Sequence, residues 1–290
     1  MITHKQFDNG FKYIEIQNKN AEAKIALQGA HLFHYKARDK DTLLWLSKRA
    51  YFEEGKAIRG GIPICFPWFG KNNNNSDLPQ HGFARTELWE VVLEEEVNES
   101  TTHIQLQLKP NTQTLEQWAY LFDIRLDIIV SDALSIALSI TNTDTKPFEI
   151  STALHTYLKV SNIDTISIHG LDNREYYDAL EGENAIQKGD VFIREEVDRV
   201  YMNPSKMITL LDGDISVNLQ QEGSNSLVAW NPWVEKSKQM NDMSEDGYRT
   251  MVCLETSNAR EDARVLKPNE LHVLKAVFKS VTEKLTRKLI

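Results

Sequence analysis

From Phe122 the chain reads FDIRLDIIV, with Phe122, Ile124, Leu126, Ile128 and Val130 on one parity and Asp123, Arg125 and Asp127 on the other. THIQLQLK sets Ile104, Leu106 and Leu108 against His103, Gln105 and Gln107, and LSIALSIT sets Leu134, Ile136, Leu138 and Ile140 against small residues. Period two over such lengths predicts strands with one face in a core, because successive side chains of a strand point to opposite faces. The small residues of LSIALSIT also suit a strand covered on both faces. Further strands are predicted at YIEIQ, EAKIALQ, HLFHYKA, LWEVVLE, FEISTAL, MITLL, ISVNLQ, TMVCLE and LHVLKAVF, separated by turn signals such as LDGD, QEGSN and LKPNE. Helical patterns are few: TLEQWAYL (114–121) and VEKSKQMNDM (234–243). Many short strands at regular spacing predict an all-β fold, a large antiparallel β-sandwich or barrel. No linker or internal repeat divides it, so residues 1–290 are expected to form one domain. NNNN (72–75) is expected to be a flexible loop tip, and the C-terminal SVTEKLTRKLI either packs on the sandwich or frays.

Composition narrows the function. The 290 residues carry a net charge of −9, which argues against a nucleic-acid partner, since that needs a basic face. An anionic ligand would need a local basic cluster, because the overall field opposes it. Two cysteines, Cys65 and Cys253, cannot form a disulfide framework. No apolar run reaches membrane-span length and the start lacks a signal core, so a cytoplasmic protein with free thiols is expected.

Candidate chemistry lies where polar residues interrupt apolar, turn-rich stretches. IRGGIPICFPWFG holds Arg59, LPQHGFAR holds Gln80, His81 and Arg85, STALHTYLKV holds His155, EEVDRVY holds Asp198 and TMVCLETSNA holds Glu255. Each has an ordinary structural reading: His155 as a half-buried strand histidine, Glu255 as a strand-end residue reaching water, the arginines as surface ion-pair partners. Together they offer more. A histidine and a glutamate on apolar strands supply an acid and a base, and two arginines in glycine-bearing loops supply forked donors for a phosphate. No metal-ligand spacing is convincing, since His31 and His34 in HLFH fall on opposite strand faces. Both cysteines sit in apolar strand-like contexts, where thiols are usually inert.

IRGGIPICFPWFG, LPQHGFAR, ALHTYLKV, VDRVY, VAWNPW and CLETSNA occur in order over residues 57–259. This set resembles the glucose-6-phosphate 1-epimerases, or hexose-6-phosphate mutarotases, of the aldose 1-epimerase superfamily. The resemblance implies a galactose mutarotase-like supersandwich that interconverts the α and β anomers of an aldohexose 6-phosphate without cofactor or metal. It implies His155 and Glu255 as the catalytic acid and base, with Arg59, Gln80, His81, Arg85 and Asp198 binding the sugar phosphate. Asp178, in YYDAL, competes with Asp198 for the hydroxyl contact.

In that scheme ionised Glu255 takes the anomeric hydroxyl proton and protonated His155 gives one to the ring oxygen, their opposite charges sustaining both states. Arg59 and Arg85 hold the 6-phosphate, and the Gly60–Gly61 pair lets the backbone approach it and donate N–H groups. Rival readings are an aldose 1-epimerase for unphosphorylated sugars, a non-catalytic sugar-phosphate binding protein, and a glycoside hydrolase or lyase. A hydrolase generally wants two carboxylates, and no second one stands out. With no heptad or apolar surface helix visible, a monomer is expected.

Overall fold

The computed structural model describes residues 1–72 and 74–282, so the expectations for Asn73 in the loop tip and for 283–290 of the C-terminal stretch lie outside the described residues. The chain is built of antiparallel sheets. The largest runs, in spatial order, through Ser167–His169, Met207–Asp212, Ile215–Glu222, Leu271–Thr282, Leu134–Asn142, Phe122–Val130, Thr101–Leu108 and Glu90–Asn98. Its register places Ile104 opposite Ile128, Leu126 opposite Leu138 and Ile128 opposite Ile136, so the alternating apolar residues share one face. All of these are fully buried. On the other face Asp127 accepts hydrogen bonds from His103 and Gln105, and Asp123 accepts one from Gln107. Polar ladders of this kind let a sheet keep a wet face. Ser135, Ala137 and Ser139 lie on that face half-exposed, so LSIALSIT is covered fully on one face only.

A second eight-stranded sheet carries the site. Its order is Glu183–Ile186, Glu175–Asp178, Val197–Met202, Ser226–Asn231, Met251–Asn258, Thr152–Leu154 and Ile64–Cys65, and Tyr157–Lys159 also pairs with Met251–Asn258. Met251–Asn258 is buried along its whole length, as expected of a central strand covered on both faces. The N-terminal strands Ile2–Gln6, Lys12–Gln17, Ala21–Ala26 and His31–Ala37 form a four-stranded sheet in chain order. The main apolar core draws on all three of these sheets. Among the described residues no helix is long and apolar enough to cross a membrane.

Three local differences from the sequence expectation have physical causes. The first helix spans Thr112–Gln117 and starts earlier than TLEQWAYL, because Asn111 and Thr114 form a reciprocal capping box. It stops at Trp118, whose ring packs edge-on against Phe66 and Phe148. The second helix is Trp233–Gln239, and Met240 already has extended backbone, which frees Asp242 for the site. FEISTAL is not one strand: Phe148–Ile150 pairs with Arg264–Leu266, whereas Thr152–Leu154 joins the central sheet. Between them the Ser151 hydroxyl accepts a hydrogen bond from the Phe69 N–H.

The Gly60–Gly61 pair serves packing. The Gly61 N–H donates to the Trp45 carbonyl and is therefore not aimed at an anion, which corrects that expectation for Gly61. Gly61 has φ +64°, and a Cβ there would stand 2.4 Å from the Leu32 carbonyl oxygen and 2.7 Å from His31 Nε2. Buried His31 supports the same turn through the Gly60 carbonyl at 2.8 Å. Gly61→Ala combines left-handed strain with a backbone clash, each costing on the order of 1–3 kcal/mol. Denaturant unfolding is expected to show a loss of about 2–6 kcal/mol, and an unchanged midpoint would contradict this packing.

Candidate active site

Strand pairing brings Glu255 and His155 together. Glu255 projects from Met251–Asn258, opposite Val228. His155 and Thr156 separate the two short strands that pair with that same strand, and the Thr156 carbonyl accepts from the Leu254 N–H. His155 Nε2 and Glu255 Oε1 face each other across 3.3 Å. His155 is 8% exposed and Glu255 1%. Among the described residues, no partner meets His155 Nδ1 or Glu255 Oε2. Buried polar atoms are rarely left unpaired, so these two call for a physical explanation, a catalytic role among them.

The imidazole is held by aromatic rings. Tyr157 stacks on it at 4.8 Å and 10° and stacks in turn on Trp45 at 5.9 Å, while Trp230 meets His155 edge-on at 6.0 Å. This burial depresses the His155 pKa well below 6.5, with His81, Arg59 and Arg85 adding to the effect. Burial raises Glu255 well above 4.5, and Asp198 adds to it. Both directions favour neutral imidazole and carboxylic acid over the ion pair expected from sequence. The proton count is the same in both states; burial favours the proton on the carboxyl because an unsatisfied charge is costly away from water.

The linkage follows from these directions. Glu255 holds its proton more tightly folded than unfolded, so its contribution is complete below pH 4.5 and is lost as pH rises towards its elevated folded value. His155 runs the other way: its contribution is present above pH 6.5 and is lost as pH falls towards its depressed folded value. Glu255→Gln removes only the alkaline loss. Melting temperatures should match wild type below pH 4.5 and exceed it increasingly as pH is raised, and a constant difference would contradict a buried protonated carboxyl.

All seven residues singled out in the sequence line one cavity of about 800 Å³. Arg59 donates from Nε to Asp242 Oδ2 at 3.2 Å and from Nη1 to the Tyr157 hydroxyl at 2.8 Å, and its Nη2 forms an ion pair with the same Asp242 oxygen at 3.1 Å. Two sides of the guanidinium are thus engaged, leaving the Nη1–Nη2 end. Arg85 Nη2 donates to the Gln80 carbonyl at 2.6 Å, so the Gln80 backbone steadies Arg85. His81 Nδ1 accepts from the Gly70 N–H at 3.1 Å. That bond fixes the tautomer with hydrogen on Nε2, and burial lowers the His81 pKa to about 3, so His81 is a neutral donor. Asp198 lines the cavity, with its pKa raised by burial, while Asp178 is bonded to Arg199 Nε at 3.0 Å and does not line it. Sequence reasoning missed Tyr157 and Asp242. Tyr157 shares parity with His155, which was a usable signal; Asp242 lay inside a stretch read as helix.

The antiparallel sheets and the cavity they carry have the architecture of a sugar-ring epimerase. The aldose 1-epimerase family model matches residues 12–279, and the chain belongs to that family; it is an isomerase. Among curated relatives, one from Cenchrus ciliaris is 36% identical over 87% of this chain and 79% of its own. Another, from Escherichia coli K12, is 33% identical over 91% and 89%. Both are described as "Putative glucose-6-phosphate 1-epimerase". The crystal structure of a mutarotase-type protein, YeaD of Salmonella typhimurium, superposes with a TM-score of 0.91 at 28% identity, covering 97% of this chain and 94% of that one. A galactose mutarotase-related enzyme of Lactobacillus acidophilus shares the fold at 15% identity, with a TM-score of 0.74 over 94% and 98% of the two chains.

Proposed function

We propose that the protein interconverts the α and β anomers of an aldohexose 6-phosphate, with glucose 6-phosphate as the leading substrate. The observation that carries this reading is the polarity of the cavity about the acid–base pair. Arg59 and Arg85 act on His155, whereas the charged neighbour of Glu255 is Asp198. In a hexose 6-phosphate the phosphate hangs beside the ring carbon that bears the ring oxygen. A sugar with its ring oxygen at His155 and its anomeric hydroxyl at Glu255 therefore carries its phosphate to the arginines. Its other hydroxyls face Asp198, and His81 Nε2–H and the Gln80 amide add neutral contacts.

The same placement prepares the chemistry. A phosphate dianion offsets the two cations that add to the effect of burial on His155, which favours passage of the proton from Glu255 to His155 across the short gap between them. Ionised Glu255 then takes the anomeric hydroxyl proton while His155 protonates the ring oxygen, and the ring opens to the aldehyde. Rotation about the first carbon–carbon bond presents the other carbonyl face, and closure reverses both transfers. Each positioned acid or base contributes about 10²- to 10⁴-fold. Phosphate binding energy fixes the reacting end of the sugar.

The test is magnetisation transfer between the α and β anomeric protons by NMR, with glucose 6-phosphate, glucose and galactose in parallel. Exchange well above buffer is expected for the phosphorylated sugar and far less for the free ones. Equal exchange on all three removes the phosphate assignment and keeps the epimerase; none on any removes the proposed pair.

A further inference from the structure

Cys253 has no role in the sugar chemistry, yet its thiol lies against the pair. One donor atom from each of His155, Cys253 and Glu255 falls within 4.8 Å of the others, and all three residues are buried. Cys253 and Glu255 stand two apart on one strand, so they share a face. His155 completes the group from the segment that pairs beside them, where Tyr157 lies opposite Cys253. His155 and Glu255 line the cavity, and Cys253 packs just beneath, among Tyr157, Trp230 and Met251. His155 Nδ1 and Glu255 Oε2, on residues 8% and 1% exposed, have no protein partner among the described residues.

We propose that His155, Cys253 and Glu255 form a binding site for a thiophilic divalent cation, Zn²⁺ or Cd²⁺, whose occupancy withdraws the acid–base pair from the sugar. Imidazole nitrogen, thiolate sulfur and carboxylate oxygen are a ligand set for zinc-like ions, whereas Mg²⁺ and Ca²⁺ require an oxygen shell. Three protein ligands with one side open to a cavity leave a fourth position for water. Zinc–ligand distances of about 2.0–2.3 Å imply donor separations near 3.5 Å, so the side chains close by about 1 Å on binding. The thiol and carboxyl protons leave to buffer, and the resulting thiolate and carboxylate cancel the cation's two charges. That compensation matters, because Arg59 and Arg85 oppose a bare cation on the His155 side.

Cd²⁺ titration of the intact protein tests this by two readouts, heat of binding and the ultraviolet thiolate-to-cadmium charge-transfer band. One ion per chain with the band is expected, and excess glucose 6-phosphate should displace it. Cys253→Ser should abolish the band and weaken binding by about 10-fold or more while retaining basal turnover, and Cys65→Ser should change neither. His155→Gln should weaken binding similarly, which covers the case in which Cys253→Ser fails to fold. Absence of the band in wild type, or equal affinity in both site variants, overturns the site. Binding is read independently of the epimerase proposal; the expected displacement by glucose 6-phosphate and the expected inhibition of anomer exchange by Zn²⁺ rest on it.

Discussion

Glu255→Gln is expected to lower the rate of anomer exchange by about 10²- to 10⁴-fold. Glutamine keeps the shape of the side chain and can accept a hydrogen bond, but it cannot receive the anomeric proton. The loss should fall on kcat, and by the same factor for a phosphorylated and a free sugar, because the anomeric hydroxyl is common to both. Glu255 is 1% exposed and its carboxyl is pushed up by burial, so the amide removes an acid that is costly to ionise. Activity should therefore collapse in a variant that melts higher than wild type at alkaline pH. That pairing separates chemistry from misfolding: a variant that loses both activity and stability would show that Glu255 is structural, and one that keeps full turnover would remove it from the mechanism.

The long strands were legible because their information is local. In FDIRLDIIV the parity of apolar residues alone says which side chains face the core, and the cross-strand register only aligns what alternation had already sorted. FEISTAL shows where this fails. Nothing local distinguishes Ser151 from an ordinary strand residue; its place as a break comes from the Phe69 N–H, distant in sequence. The helix starting at Thr112 was cut short for a similar reason, because the rings that receive Trp118 belong to other elements.

The candidate site divides along the same line. A carboxylate in an apolar strand and arginines among glycines are conspicuous in the chain itself, and the fold brings them to one cavity. Arg59 pairing with Asp242, the ring stack on His155 and the thiol beneath Glu255 are all products of tertiary structure. So is the protonation of the pair. From sequence alone opposite charges stabilise one another, but burial beneath the cavity makes desolvation the larger effect, which favours the proton on the carboxyl.

The Arg59→Ala, Arg85→Ala double variant is expected to lose about 100-fold or more in kcat/KM for glucose 6-phosphate. A hydrogen bond to a charged group contributes about 1.5–3 kcal/mol, so two removed donors cost at least about 3 kcal/mol, and each 1.4 kcal/mol is tenfold. Most of the loss should appear in KM. Part should appear in kcat, because phosphate on the arginines is what moves the proton to His155. Free glucose offers no such charge, and the variant also lacks the two cations that depress His155, so turnover of glucose should be retained. Arg59 also donates to the Tyr157 hydroxyl, and Tyr157 stacks on His155, which creates a rival explanation for any loss. The two sugars decide between them. A fall confined to the phosphorylated sugar assigns the arginines to its phosphate, whereas an equal fall on both assigns them to holding Tyr157 and the imidazole in place. Full kcat/KM on glucose 6-phosphate would exclude both roles and leave Arg59 as the partner of Asp242 alone.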